Sequence, residues 1–221
     1  MTFPVEQNDD IRKIKMIKKS ITVPIILFFF SIATIAFALA QAIQIPMGTL
    51  PEENARISTV PFSHFAHALG GVLFGIIGPI QFGRVLAKKY GRLHRIMGRI
   101  FVIAGAFLAL SSISLLWQFP DSGSFLVSRG RLVFAVALAI SLFFAVKSAR
   151  LRKFKIHRDW MIRAYAVGIG ATAVSNVFIP IFVITGEPPI GTVADMIFIG
   201  SWFLVVVFAE CLVRYIRKKE S

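Results

Sequence analysis

Cysteine is almost absent from this sequence: among 221 residues only Cys211 is one, and it lies inside an apolar run. A disulfide framework and a thiolate metal site are excluded by that alone. Acidic residues are scarce too, 11 against 25 lysines and arginines, which leaves a net charge of +14. No Ser-His-Asp arrangement, phosphate loop, HExxH or CxxC occurs, so catalysis of the soluble type has no support. No series of acids runs through the apolar segments, which counts against a proton pump or an ion-coupled transporter. A signal peptide is not expected, because the first apolar run (Ile21 to Ile45) is too long and lacks a small-residue cleavage site.

What the sequence has in abundance is apolar length. The hydrophobic fraction is 56% and the mean hydropathy +0.74, far above an ordinary soluble mix. The apolar residues come in runs of about 20 or more, the length a helix needs to cross a hydrocarbon core of about 30 Å. The fold class expected is all-α: a multi-pass membrane bundle of six helices. In a soluble chain the positive charge would suggest nucleic acid. Here it gathers in the short segments between spans, as membrane topology requires, and no nucleic-acid partner is expected.

Taken in order, residues 1–20 form a basic tail, 21–213 the six-helix membrane domain and 214–221 a second basic tail. The spans are expected at about Ile21–Ile45, Pro61–Leu86, His94–Phe119, Leu126–Ser148, Trp160–Ile184 and Ile190–Val213. Span two carries His67, Gly71 and Gly75 at four-residue intervals, a face that another helix can approach closely. Span five has a small and polar stripe of Ala164, Gly168, Thr172 and Asn176, and Pro180 should kink it by removing the partner of the Asn176 carbonyl.

Basic residues set the orientation. The N-terminal tail has five, the segment 84–99 six, the segment 147–163 seven and the C-terminal tail four, so 22 of the 25 lie on one side. The positive-inside rule places that side, with both termini, in the cytoplasm. Asp159 and Glu210 each stand four residues before an arginine, Arg163 and Arg214, and read as local ion pairs at the inner interface.

Two joints organise the chain: Leu93-His94-Arg95-Ile96-Met97-Gly98-Arg99 and His157-Arg158-Asp159-Trp160-Met161-Ile162-Arg163, in which a basic run meets a His-Arg pair and then an apolar helix. Their histidines are 63 positions apart and share a depth near the inner interface. One reading makes His94 and His157 the axial ligands of a haem b, with Arg95, Arg99, Arg158 and Arg163 beside its propionates. The other makes them interfacial groups that bond lipid phosphates, loop carbonyls or neighbouring carboxylates. His64 and His67, one turn apart near the outer end of span two, could share a metal ion with Glu52, Glu53 or Asp195. Alternatively His67 makes an interhelical hydrogen bond worth about 1 kcal/mol. Trp160, at the head of span five, and Asn176, the strongly polar group near mid-bilayer, complete the candidate residues.

These segments, with His67 and Gly78-Pro79-Ile80-Gln81-Phe82 of span two and the continuation Ala164-Tyr165, resemble a family of bacterial multi-pass membrane proteins, domain of unknown function 2306. The likeness covers residues 61–184, about half of the chain. It implies a helical bundle in the bacterial cytoplasmic membrane and singles out His67, His94 and His157; it implies no activity. Phe101 departs from the tyrosine that such proteins often carry there. Two functions are expected on these grounds: a haem-associated membrane redox protein, or a non-enzymatic protein whose basic inner loops hold anionic lipid, a membrane protein partner or a second copy of itself.

Overall fold

In the computed structural model, residues 4–119 and 124–220 are described, the side chains of 4–21, 53–56, 84, 85 and 88 excepted. The basic side chains of the N-terminal tail and the carboxylate of Glu53 therefore lie outside the described residues. The elements are α1 (Pro4–Met47), a 3-10 turn (Glu52–Thr59), α2 (Pro61–Gln81), α3 (Arg84–Lys89), α4 (Gly91–Gln118), α5 (Phe125–Arg150), α6 (Phe154–Gly168), α7 (Gly170–Thr185) and α8 (Gly191–Glu220). No strand occurs among the described residues. Six segments are long and apolar enough to cross a membrane: Thr22–Met47 of α1, then α2, α4, α5, α6 with α7 (Phe154–Thr185), and α8.

Two boundaries differ from the sequence expectation. Span two ends at Gln81 rather than Leu86, because the Phe82 and Gly83 amides turn back to the Pro79 and Ile80 carbonyls at 3.2 and 3.0 Å. The remainder forms the separate α3. Span five is interrupted at Ile169, eleven residues before Pro180, where the kink is expected, and the helix runs on through that proline. Gly168 and Gly170 flank that point, and glycine is the poorest helix former after proline. The carbonyl released there is not left bare in the apolar region: the indole nitrogen of Trp202 on α8 donates to Val167 at 2.7 Å.

Close packing follows the small residues. A side chain at Gly71 would touch Ala38 of α1 at 3.7 Å and one at Gly75 would press on Ile35 at 2.8 Å, so α1 is the helix that approaches the glycine face of α2. Phe74, on the other side of α2, is the hub of the core. Its ring stacks on Phe101 of α4 with centroids 4.2 Å apart and lies 5.8 Å from that of Tyr165 on α6. Phe101 is fully buried in this stack.

Two glycines make the stack possible. The Tyr165 ring occupies the space a side chain at Gly78 would fill, and the Phe74 ring does the same at Gly168. Gly168→Ala is accordingly expected to destabilise the bundle by about 1–3 kcal/mol, as overpacking does in a filled core. Gly200→Ala, where nothing lies within 4 Å, should leave it unchanged or slightly firmer. Thermal denaturation of the two variants in one detergent checks this, and equal melting points would contradict the packing described.

Candidate functional site

The candidate site is built where α4 and α6 begin, at the basic end of the bundle. A tight turn closes α5 onto α6. Arg152 takes the left-handed conformation there (φ 57°), and the Arg152 and Lys153 amides bond to Ala149 and Ser148 at 3.0 and 2.9 Å. The turn folds His157 back onto α5, where its Nδ1 stands 2.9 Å from the Ala145 carbonyl. A carbonyl only accepts, so Nδ1 carries the proton and the neutral ring keeps its lone pair on Nε2.

His94 stands on the first turn of α4, half-buried, its amide bonded to the Tyr90 carbonyl at 2.9 Å. Its Nδ1 is buried and has no hydrogen-bond partner. His94 and His157 lie near enough for their charges to interact. The helices bearing them are not immediate neighbours: α4 packs on α2 and α5, α6 on α5 and α8. Both histidines thus lie at the basic end of the bundle, on helices that each pack against α5.

Gln81 belongs to the same place, and the sequence reading passed over it. Its Oε1 lies 3.6 Å from where a side chain at Gly98 would begin. Gly98 is one helical turn beyond His94 on the same face of α4. The Gln81 Nε2, a pure donor, is buried without a partner, as is the Tyr165 hydroxyl. Both residues stand inside the segments that carry the family likeness, which was the signal available for them.

The arginines are disposed differently from expectation. Asp159, almost fully buried, accepts from Arg158 Nε and Nη2 at 3.2 and 3.0 Å and from Arg217 Nε of α8 at 2.7 Å. Arg158 continues to Glu220 at 2.5 Å. Arg163 grips both oxygens of Glu210 on α8 and lies 4.8 Å over the ring of Trp160, whose centroid stands 4.9 Å from that of Phe144. The local pairs Asp159–Arg163 and Glu210–Arg214 expected from i,i+4 spacing are thus replaced by pairs between α6 and α8. Glu210 takes a bidentate guanidinium from the neighbouring helix, while Asp159 combines Arg158 of its own helix with a single bond from Arg217 of α8. Arg158 and Arg163 are held by carboxylates, while Arg95 and Arg99 are exposed.

At the other end, His67 Nδ1 lies 3.1 Å from the Ser111 hydroxyl of α4, the interhelical bond that the glycine-lined face suggested. Ser111 and Ser112 give their hydroxyl protons to the Phe107 and Leu108 carbonyls, so His67 is the donor. His64 Nδ1 stands 3.3 Å from the Val60 carbonyl and its ring beside Phe119. Among the described residues no group of three or more His, Cys, Asp or Glu side chains comes together where it could hold a metal ion. Asn176 donates to the Phe30 carbonyl of α1 at 3.1 Å, tying α7 to α1.

A family model described as a predicted membrane protein (DUF2306) matches residues 64–213, from His64 to Val213. The chain belongs to this family. No curated protein and no solved structure matches it. This DUF2306 protein is thus a multi-pass membrane protein in which the family match covers both histidine joints and the carboxylates Asp159 and Glu210 of the α6–α8 lock, while Arg217 and Glu220 lie beyond it.

The lock has a measurable consequence. Removing Asp159 takes away the buried acceptor shared by Arg158 and Arg217, whose side chains stay 31% and 57% exposed, so Asp159→Ala is expected to destabilise the protein by about 1–3 kcal/mol. Glu220 is a partly exposed pair partner, and Glu220→Gln should lower the melting point much less. A thermal scan in which the two variants lost equal stability would contradict the central position given to Asp159.

Proposed function

We propose that this protein is a membrane redox protein that holds one haem b between His94 and His157 at the basic, cytoplasmic-facing end of its bundle. The observation that supports the reading is the state of the two imidazoles. The Nδ1 of His157 is fixed by the Ala145 carbonyl, so Nε2 is the nitrogen that would ligate a metal. This is the arrangement by which proteins orient a metal-ligating histidine. At the same end of the bundle, His94 has a buried ring nitrogen without a partner.

The donor set favours haem over a bare ion. Two protein nitrogens are too few for a structural metal site, which takes about four ligands. They suffice for an iron that brings four nitrogens of its own. The group would supply reversible one-electron storage; the chain's contribution is to hold and orient it. The Ala145 carbonyl sets the tautomer of His157, the α5–α6 turn sets its height, and the Phe74–Phe101–Tyr165 stack fills the core around Gly78 and Gly168. The imidazoles alone carry this reading, since Arg158 and Arg163 are engaged elsewhere.

The test is the visible spectrum of the protein purified after expression with ample haem, oxidised and then reduced with dithionite. A sharp Soret shift with narrow α and β bands is expected, lost in His94→Ala and in His157→Ala and retained in His64→Ala and His67→Ala. A flat spectrum from protein that is monodisperse and melts cooperatively would overturn the proposal.

A further inference from the structure

At the same end of the bundle, α3 runs into α4 and leaves a groove of about 430 Å³ lined by Lys89, Tyr90, Gly91, Arg92, Leu93 and Ile96. We propose that this groove binds the phosphate of an anionic membrane lipid, with the lipid's chains lying along Leu93 and Ile96. The site is distinct from the histidine pair and does not depend on it.

Its cationic part is made by three side chains around one glycine. Lys89 and Arg92 are exposed at the rim, and the Lys89 ammonium lies 5.6 Å from the centroid of Tyr90. The Arg95 guanidinium folds back over Gly91, its Nη1 3.6 Å from where a side chain there would begin. A methyl there would meet the guanidinium at ordinary contact distance, and a longer side chain would fill the place. No carboxylate among the described side chains pairs with these three; the ion pairs at this end engage Lys155, Arg158, Arg163 and Arg217.

The backbone adds to the field. Tyr90 supplies no side-chain cap to α4, so the amides of Gly91, Arg92 and Leu93 open α4 without acceptors within the helix. A helix start of this kind carries partial positive charge and favours an anion, here as a supplement to three full charges.

The apolar part decides which anion. Leu93 and Ile96 are 46% and 45% exposed, and they stand three residues apart on one face of a membrane-spanning helix. A soluble phosphate gains nothing from them, whereas a phospholipid covers them with its chains. The groove also lies where a span emerges, at the depth at which basic residues meet anionic headgroups.

The full chain, purified in detergent, is exchanged into equal parts of phosphatidylglycerol and phosphatidylcholine, and retained lipid is counted by native mass spectrometry. Wild type should retain phosphatidylglycerol in preference. The variant Lys89→Gln/Arg92→Gln/Arg95→Gln should lose that preference by about tenfold or more. Arg214→Gln/Lys218→Gln/Lys219→Gln, which removes the same charge from the C-terminal tail, should keep it. Gly91→Leu fills the floor of the groove without removing charge and should reproduce the loss, which guards against a triple variant that fails to fold. Equal loss from both triple variants, or no preference in wild type, would overturn the proposal. Release of the retained lipid by millimolar inorganic phosphate would also overturn it, by identifying a site for free phosphate.

Discussion

A charge surrounded by hydrocarbon is costly, and this constraint organises the molecule. It confines the ionic groups of the spans to their ends, and at the basic end it makes the few acids bind more than one helix. Asp159 is the centre of that arrangement. Buried, it accepts from a neighbouring arginine on its own helix and from Arg217 at the far end of α8. Through Arg158 and Glu220, and through Arg163 and Glu210, the last span is locked onto the fifth. The lock fixes the start of α6, and with it the height of His157.

The same constraint governs the backbone. The interruption at Ile169 would leave a carbonyl without a partner among apolar side chains, and the Trp202 indole supplies the missing donor. Its ring fits against α6–α7 because position 170 is glycine. Lower in the bundle the energy comes from contact instead of polarity. Phe74 can touch helices α4 and α6 because Gly78 and Gly168 leave room for the rings of Tyr165 and Phe74 itself.

Much of this was legible beforehand, for a physical reason in each case. The six spans followed from apolar length, and the approach of a helix to Gly71 and Gly75 followed from four-residue spacing, although only the structure identifies that helix as α1. The hydrogen bond of His67 is interhelical as expected, although it reaches Ser111 of α4 and not the helix that covers Gly71 and Gly75. The partners of Asp159 and Glu210 did not follow, because i,i+4 spacing speaks for one helix and is silent on which neighbour will lie beside it. Pro180 drew the expected kink away from Gly168-Ile169-Gly170, where the donor that tolerates the break comes from a residue over thirty positions later. Gln81 and Tyr165 were visible only as members of motifs, since a buried polar atom without a partner is a property of packing.

The central proposal is that His94 and His157 would together hold one haem. Electron paramagnetic resonance of the oxidised, haem-loaded protein at low temperature addresses it most directly. Two imidazoles on one ferric iron give a low-spin signal, and replacing either histidine converts it to high spin or removes it. That is the result the account predicts. A high-spin signal from the unaltered protein, or a low-spin signal that survives in His157→Ala, would contradict it.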